Sequence, residues 1–330
     1  MSEKPPPKPR RAIVPGTGVR LDWPALPRGV RETIERHLDG PVRHVEIQHG
    51  GFSPAFAAIL TSESGGEVFV KAGSPDPNPD VPQFYRQEWA IASALPEDAP
   101  APRPLWFEDD GTWVLLGFEA IRGGNPTLPW KRSDLDRVVR ALEEMTRVLT
   151  PSPIRAPSFG ERHRTMFRGF RTLSNSVPAP TGPLPALDPW IVRHLDELAK
   201  LEEPWEELTR GTTLLNCDVR ADNILLRGDR VYFVDWPWAC IGPAWIELAA
   251  FLPSVAMQRG PKPWELFDSS QLAQNASPQA VRAFVAGLTG FFWEQSLRPA
   301  PPGLPTLREF QRAQGIEALE WLRRLCPEFD

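Results

Sequence analysis

The sequence predicts an α+β protein with a small β-rich front half and a larger, mostly helical back half. Two observations support this class. Apolar residues alternate between turn signals up to about residue 118, which is typical of short strands, whereas they recur at helical spacing after residue 133. The length of 330 residues agrees with about two such units, and we place the link between them near residues 117–124.

The front half is predicted to begin with a β-meander. Glycine pairs at residues 50–51 and 65–66 give its two bends. The strands around these bends cover residues 42–48, 55–60 and 67–71. A helix follows over residues 84–95, and a strongly apolar strand over residues 113–118 leads into the link.

The back half is predicted to be helical, with a few short strands. Ser133 is expected to cap a helix over residues 134–149, and Asp188-Pro189 to start the next one as cap and first-turn proline. Short apolar runs follow at residues 213–215, 224–226 and 231–234. The remaining helices are expected at about residues 243–258, 278–297 and 305–325.

Composition and charge argue against several classes of protein. The 37 basic and 42 acidic residues give a net charge of −5, which disfavours a nucleic-acid binder. The longest apolar run, residues 244–257, is too short to span a bilayer, and we find no signal peptide. The three cysteines are too few and too far apart for a disulfide framework or a zinc site. We expect a cytoplasmic monomer or homodimer without membrane or nucleic-acid partners, in which the proline-rich basic residues 1–20 form a disordered tail.

The stretch most informative about chemistry runs from Asp218 to Asn223, between two short apolar runs. Transfer of a phosphoryl group to a hydroxyl needs a carboxylate that accepts the hydroxyl proton and side-chain oxygens that hold magnesium. Asp218 and Asn223 fit these roles. Asp235 ends a buried strand, where a carboxylate is costly unless it is paired, and a metal ion is the obvious partner. Since Asp and Asn also favour ordinary turns, the interpretation depends on this context.

Three features of the front half match what a nucleotide-dependent phosphotransferase needs there. Lys71 ends the third strand, where its ammonium can neutralise phosphates, and Glu88 on the next helix can hold that ammonium in place. Gly50 and Gly51 lie at the first bend, where a flexible loop can cover the phosphates. Each feature alone is better explained as a solvated strand end, an exposed helix residue or a plain turn. Their order ahead of Asp218 favours the functional interpretation.

With these motifs the sequence resembles the aminoglycoside phosphotransferase family, the small-molecule branch of the protein-kinase-like fold. The resemblance covers about residues 40–325 and is most specific in N-C-D-V-R-A-D-N-I-L-L and V-Y-F-V-D-W-P-W-A-C-I-G-P. It implies two lobes, a five-stranded N-lobe with one main helix over residues 21–118 and a helical C-lobe over residues 119–330. It also implies ATP and Mg²⁺ in the cleft between them, with GTP left open.

The resemblance implies a role for each candidate residue. Asp218 is similar to the catalytic base of the family, and Asn223 and Asp235 are similar to its magnesium ligands. Lys71 and Glu88 resemble the phosphate-binding lysine and its partner. The other expected nucleotide-binding residues are Gly50, Gly51 and Ser53 in the phosphate loop and the hinge segment from Phe118 to Ala120, whose backbone receives adenine.

The sequence departs from the family pattern at Asn216, where histidine is usual, and at Cys217, where glycine is frequent. A catalytically inactive nucleotide-binding protein is therefore an alternative. Asp235 is followed by Trp-Pro instead of Phe-Gly, which argues against a protein kinase, and the chain has no G-x-x-x-x-G-K-[ST] loop.

The acceptor is expected to be a small molecule with a hydroxyl group, such as an aminoglycoside or another antibiotic. A metabolic kinase acting on choline, a sugar or a homoserine-like compound is the alternative. A polyamine would suit the acidic residues of the back half, which are Asp222, Glu247, Glu265, Asp268, Glu317, Glu320, Glu328 and Asp330. Tryptophans could instead form an apolar wall, although a solvated surface and a packed core explain both sets as well. Arg220 is expected either near the transferred group or in a salt bridge to Asp222 or Glu247.

Overall fold

An antiparallel five-stranded sheet forms the N-terminal lobe of the computed structural model, which describes residues 13, 14, 16, 18–52, 54–175 and 186–329. Its strands are β1 (Val42–Ile47), β2 (Phe56–Ser62), β3 (Glu67–Gly73), β4 (Pro104–Asp109) and β5 (Val114–Glu119). They lie in the order β1-β2-β3-β5-β4. The predicted β-meander is confirmed. Strand β4, which the sequence analysis missed, begins with a proline and lies at the sheet edge, where proline is tolerated.

Two helices cover the two faces of this sheet. Helix α1 (Arg28–His37) buries Val30 and Ile34 against β2 and β3, and α2 (Val81–Ala92) packs on the other face against β5. The resemblance implied one main helix; α1 is additional and escaped prediction because charged residues separate its few apolar ones. In α2, Glu88 shares the buried face of the helix, so its carboxylate points toward the sheet.

Helices dominate the C-terminal lobe and surround one continuous apolar core. They are α3 (Arg132–Val148), α4 (Phe159–His163), α5 (Gly169–Asn175), α6 (Pro189–Arg193), α7 (Leu195–Glu202), α8 (Trp205–Leu208), α9 (Trp245–Met257), α10 (Pro263–Phe267), α11 (Pro278–Ser296) and α12 (Leu307–Leu325). Trp205, Trp236 and Trp321 are among the largest fully buried side chains. These tryptophans therefore fill the core.

Two short sheets hold the loops of the C-terminal lobe. Strand β6 (Thr213–Leu215) pairs with β9 (Cys240–Gly242), and β7 (Ile224–Arg227) pairs with β8 (Arg230–Phe233). Gly124, in the link between the lobes, pairs with Leu226. The next residue, Asn125, donates from its side-chain amide to the carbonyls of Ala221, Asp222 and Ile224. The link is thereby fastened to the segment that contains Asp218.

The predicted back-half helices agree with the structure to within a few residues, and the differences have local causes. Helix α3 begins two residues earlier than expected with Lys131 as its N-cap, so Ser133 lies inside the helix and is not its cap. Asp188 caps α6 through its side chain, as predicted, but the chain leaves the helical conformation at His194 and divides the segment into α6 and α7.

Some predictions concern residues outside the described part of the chain. These are Ser53, Asp330 and most of the tail, namely residues 1–12, 15 and 17. In the described remainder of the tail, the Val19 N–H donates to the Gly303 carbonyl at 2.9 Å. Among the described helices, none combines the length and the apolar character that a bilayer crossing requires.

Candidate active site

The loop of residues 216–223 connects β6 to β7 and brings Asp218 and Asn223 together. The Asn223 Nδ2 donates to the Asp218 backbone carbonyl at 2.9 Å and to the Asp218 Oδ2 at 3.0 Å. Since these bonds use the amide nitrogen, they leave the carbonyl oxygen Oδ1 of Asn223 without a hydrogen bond among the described residues. The loop therefore presents a carboxylate and a neutral oxygen side by side.

Asp235 follows β8 and joins the two lobes electrostatically. Its φ of 65° lies in the left-handed region, which is strained for an aspartate and is common at functional sites. The Asp235 Oδ1 accepts a hydrogen bond from the Lys71 Nζ at 3.0 Å, and the same ammonium donates to both carboxylate oxygens of Glu88 at 2.7 Å. Lys71 lies on β3 and Glu88 on α2, so this group of charges spans the cleft.

A cavity of about 310 Å³ occupies the cleft and contains most of the predicted nucleotide-binding residues. Lys71, Glu88, Asn223 and Asp235 line it together with Gly50, Gly51 and Phe118. From the hinge segment, Phe118 and Glu119 line it but Ala120 does not, and Ile121 just beyond the segment also lines it. The volume suits a small organic ligand.

Arg20 also lines this cavity, although the sequence analysis placed it in the tail. Its Nε donates to the Gln48 carbonyl at 3.0 Å, and a second guanidinium nitrogen donates to the Gly50 carbonyl. These bonds bring a positive charge to the glycine bend. No local pattern in the proline-rich start of the chain signals this role.

Burial and neighbouring charges shift the ionisation of the central groups. Burial raises the pKa of Asp218 to about 7, helped by the charges of Asp235 and Asp222 and opposed by that of Arg220. A carboxylate with such a pKa is a competent proton acceptor near neutral pH. Burial alone would raise the pKa of Asp235, but the adjacent Lys71 ammonium outweighs it and holds that pKa below its usual value. Lys71 in turn keeps its charge, because Asp235 and Glu88 outweigh burial and raise its pKa.

Arg220 pairs with the two aspartates beside it. Its guanidinium contacts Asp218 and binds Asp222 through two hydrogen bonds of 3.1 and 3.0 Å. The predicted salt bridge to Asp222 is therefore confirmed, whereas Glu247 has other partners. The rings of Phe52 and Phe310 lie 5.4 and 5.8 Å from the Arg220 guanidinium.

Asn216 and Glu247 hold the loop in place, a role that the sequence analysis missed. The Asn216 side chain accepts from the Asp218 N–H at 2.9 Å and donates to the Asp235 carbonyl at 3.2 Å. The buried Glu247 carboxylate accepts from the backbone N–H groups of Asn216 and Cys217 at 2.5 and 2.9 Å. The signal for Glu247 was its position as a lone charge inside the longest apolar run.

A second cavity of about 480 Å³ opens on the other side of the loop. Asp218 and Arg220 line it, and Asp235 lines both cavities. Ten of its lining residues are phenylalanine, tyrosine or tryptophan, including Phe52, Trp238 and Phe310. Asp218 thus faces the second cavity, while Asn223, which is hydrogen-bonded to it, faces the first, so the two cavities meet at these side chains.

The fold brings together residues that are distant in sequence near this loop. Cys217 and Cys240 have their sulfur atoms 3.2 Å apart, and possible metal-binding atoms of His163 and the two cysteines lie within 4.8 Å of one another. The sequence analysis judged the three cysteines too far apart for a zinc site. For Cys217 and Cys240 this is wrong, because the fold brings them together with His163. Cys217 has a φ of 63°, the conformation for which glycine is usual.

Comparison with known proteins gives a consistent result. The sequence matches the phosphotransferase enzyme family over residues 44–288. No curated protein matches the chain by sequence. Among solved structures, the choline kinase of Streptococcus pneumoniae is similar, with a TM-score of 0.58, 13% identity, and 92% of this chain and 98% of that chain covered.

Two aminoglycoside phosphotransferases are also similar in structure. A thermostable mutant of APH(4)-Ia in complex with ADP and hygromycin B has a TM-score of 0.54 and 13% identity, covering 91% of this chain and 97% of that chain. The aminoglycoside-3'-phosphotransferase of type VIII has a TM-score of 0.52 and 21% identity, covering 77% and 99%. At these identities the similarity establishes the fold, and the predicted two-lobe protein-kinase-like architecture is confirmed.

Proposed function

Since the chain belongs to the phosphotransferase enzyme family, a family of small-molecule kinases, we propose that it transfers the γ-phosphoryl group of ATP to a hydroxyl group of a small molecule. The observation that carries this proposal is that Asp235, which pairs with Lys71, lines both cavities, while the hydrogen-bonded Asn223 and Asp218 line the first and the second. The first cavity would receive the nucleotide, and the second would receive the acceptor.

Each residue has a defined task in this proposal. Asp218 orients the acceptor hydroxyl and takes its proton, for which its pKa of about 7 is suited. Lys71, held by Glu88, neutralises phosphate oxygens. The backbone of Glu119 and Ile121 is offered to the adenine ring, and Gly50 and Gly51 let the loop backbone approach the phosphates.

The residues at the cleft fit a magnesium ion by the chemistry of their donors. Asn223 offers the oxygen Oδ1, and Asp235 offers the carboxylate oxygen that Lys71 leaves unused. Carboxylate and amide oxygens are ligands that Mg²⁺ accepts, with water and phosphate oxygens completing its shell. Mg²⁺ would supply positive charge to the phosphates during transfer.

The inactive nucleotide-binding protein is the less favoured alternative because of what Asn216 does. The family histidine at this position is expected to be structural, and the two Asn216 side-chain hydrogen bonds already link the Asp218 backbone to that of Asp235. The replacement therefore preserves the connection between the two acidic residues on which transfer depends.

A phosphoryl-transfer screen tests the proposal. The full chain, with Mg²⁺ and ATP, is offered aminoglycosides, macrolides, peptide antibiotics, choline and hydroxy acids, and ADP formation is followed. We expect acceptor-dependent ADP formation that Asp218→Ala abolishes, while ATP still binds. Asp229→Ala, at an exposed turn between β7 and β8, is the matched control and should leave the rate unchanged. Turnover retained by Asp218→Ala would remove this residue from the role of base.

A further inference from the structure

The second cavity carries information about the acceptor, because Arg308 is, apart from the exposed Asp80, the one charged side chain along its described lining that forms no ion pair. Apart from Asp218 and Asp235, the only described carboxylate along it is that of the exposed Asp80. None of the described acidic residues that would have suited a polyamine lines it. Asp222 is bound by Arg220, Glu247 lies under the loop, and other members pair with Lys262 or Arg282.

One polar strip crosses this aromatic cavity, formed by Arg308, Gln311 and Gln314 of α12. Their spacing of three residues places them on one face of the helix. The Arg308 Nη1 donates to the Gln311 Oε1 at 2.8 Å and to the Gln295 Oε1 at 2.9 Å, and its Nε donates to the Pro299 carbonyl at 3.0 Å.

At Arg308 and Gln311 these hydrogen bonds leave donors available to a ligand. With its carbonyl oxygen bound by Arg308, Gln311 retains its N–H groups, and the Arg308 Nη2 has no hydrogen bond among the described residues. Gln314 is 5% exposed and its side-chain amide has no partner in the described part of the chain. Arg308 also forms no ion pair there, since nearby Glu294 is bound by Arg298. Because the Gln314 amide is not among the fully enclosed polar groups and lines the cavity, a ligand there can accept from its N–H groups.

We propose that the acceptor is a largely apolar alcohol that also carries a carboxylate, and that Arg308, Gln311 and Gln314 bind this carboxylate. This inference rests on the proposed transfer to a hydroxyl group. Aromatic walls also attract ammonium groups. Next to Arg308, Gln311 and Gln314 an ammonium group is disfavoured, because a guanidinium repels a cation and amide N–H groups need an oxygen acceptor.

Three probes of equal length test the charge preference. They are 10-hydroxydecanoate, 1,10-decanediol and 10-amino-1-decanol, and their binding to the full chain is measured by calorimetry without nucleotide. We expect the hydroxy acid to bind at least about tenfold more tightly than the amino alcohol, with the diol between them. Arg308→Ala should remove this preference, while Arg324→Ala, an exposed arginine of the same helix, should keep it.

The outcomes separate this inference from the proposed function. Tighter binding of the amino alcohol, equal binding of all three probes, no binding of any, or a preference unchanged in Arg308→Ala would each overturn the inference, even if ATP is turned over with another acceptor. If the hydroxy acid binds as expected and no ADP forms with any acceptor, the inference on the cavity stands and the transferase proposal fails.

Discussion

Removing the carboxylate of Glu247 should misplace the catalytic loop without touching any ligand. This side chain is 1% exposed and accepts the N–H groups of Asn216 and Cys217, the two residues before Asp218. Burial raises the pKa of Glu247 to about 7, so at about pH 5 the cost comes from the donors, and each buried N–H group left without an acceptor costs about 1–3 kcal/mol. Glu247→Ala, which leaves two such groups, should lower the free energy of unfolding by about 2–6 kcal/mol, and Glu247→Gln, which keeps one acceptor, by about half of that.

The same structure offers a matched control for this substitution. Glu202 is 0% exposed and also accepts two backbone N–H groups, those of Phe170 at 3.2 Å and Arg171 at 2.8 Å. It lines neither cavity. At about pH 5, where burial keeps the proton on both carboxyl groups, Glu202→Gln should therefore destabilise the protein about as much as Glu247→Gln but leave the positions of the site residues unchanged.

Activity separates the two variants. At a temperature where both are folded by circular dichroism, kcat of Glu247→Gln should fall about 100-fold, since a displacement of about 1 Å at a reacting group has this effect. Glu202→Gln should keep the kcat of the unmodified protein. The reasoning is refuted if Glu247→Gln is destabilised yet retains full kcat, or if both variants lose kcat equally.

Three further predictions follow from other parts of the molecule. Lys71→Ala, which removes the ammonium between Glu88 and Asp235, should lower kcat/KM for ATP about 100-fold in steady-state assays, and a value within threefold of the unmodified protein (on the order of 1 kcal/mol) would contradict its role. Burial raises the pKa of Glu202 to about 7 against the opposing backbone hydrogen bonds, so the folded protein keeps a proton that the unfolded chain releases above pH of about 4.5. The free energy of unfolding should therefore decrease between about pH 4.5 and 7, and denaturant titrations should show that Glu202→Gln removes up to about 3 kcal/mol of this decrease, whereas an unchanged pH profile would count against it. Gly169→Ala should cost about 3 kcal/mol in the same titrations, because its Cβ would lie 2.0 Å from the backbone of Gly290 on α11; unchanged stability would show that the helices can separate.

The sequence predicted which candidate site residues lie close together, because they belong to strongly constrained local patterns. Asp218 and Asn223 lie on one loop between short strands, so the spacing alone nearly determines their distance. Lys71 and Glu88 meet because Lys71 lies in a buried strand and Glu88 lies on the buried face of the helix that packs against the sheet. These relationships follow from strand and helix geometry.

Features that depend on long-range packing escaped prediction. Arg20 reaches the glycine bend from a proline-rich start of the chain that has no periodic pattern. Cys217 and Cys240 become neighbours only because β6 pairs with β9. Several acidic residues considered for binding a polyamine, such as Asp222, Glu247 and Glu317, are instead bound by cations or backbone N–H groups. The order of charges along the sequence cannot show which partners the fold supplies.

The central claim is that Asp235 holds Mg²⁺ for a nucleotide while Lys71 neutralises the phosphates. Calorimetric titration of ATP with and without Mg²⁺, on the unmodified chain and on Asp235→Asn, tests it most directly. We expect Mg²⁺ to tighten ATP binding to the unmodified chain. In Asp235→Asn the factor by which Mg²⁺ tightens ATP binding should be more than roughly tenfold smaller, because a loss of about tenfold is already typical when a residue that only supports a metal ligand is replaced. An equal effect of Mg²⁺ on both proteins would contradict the account.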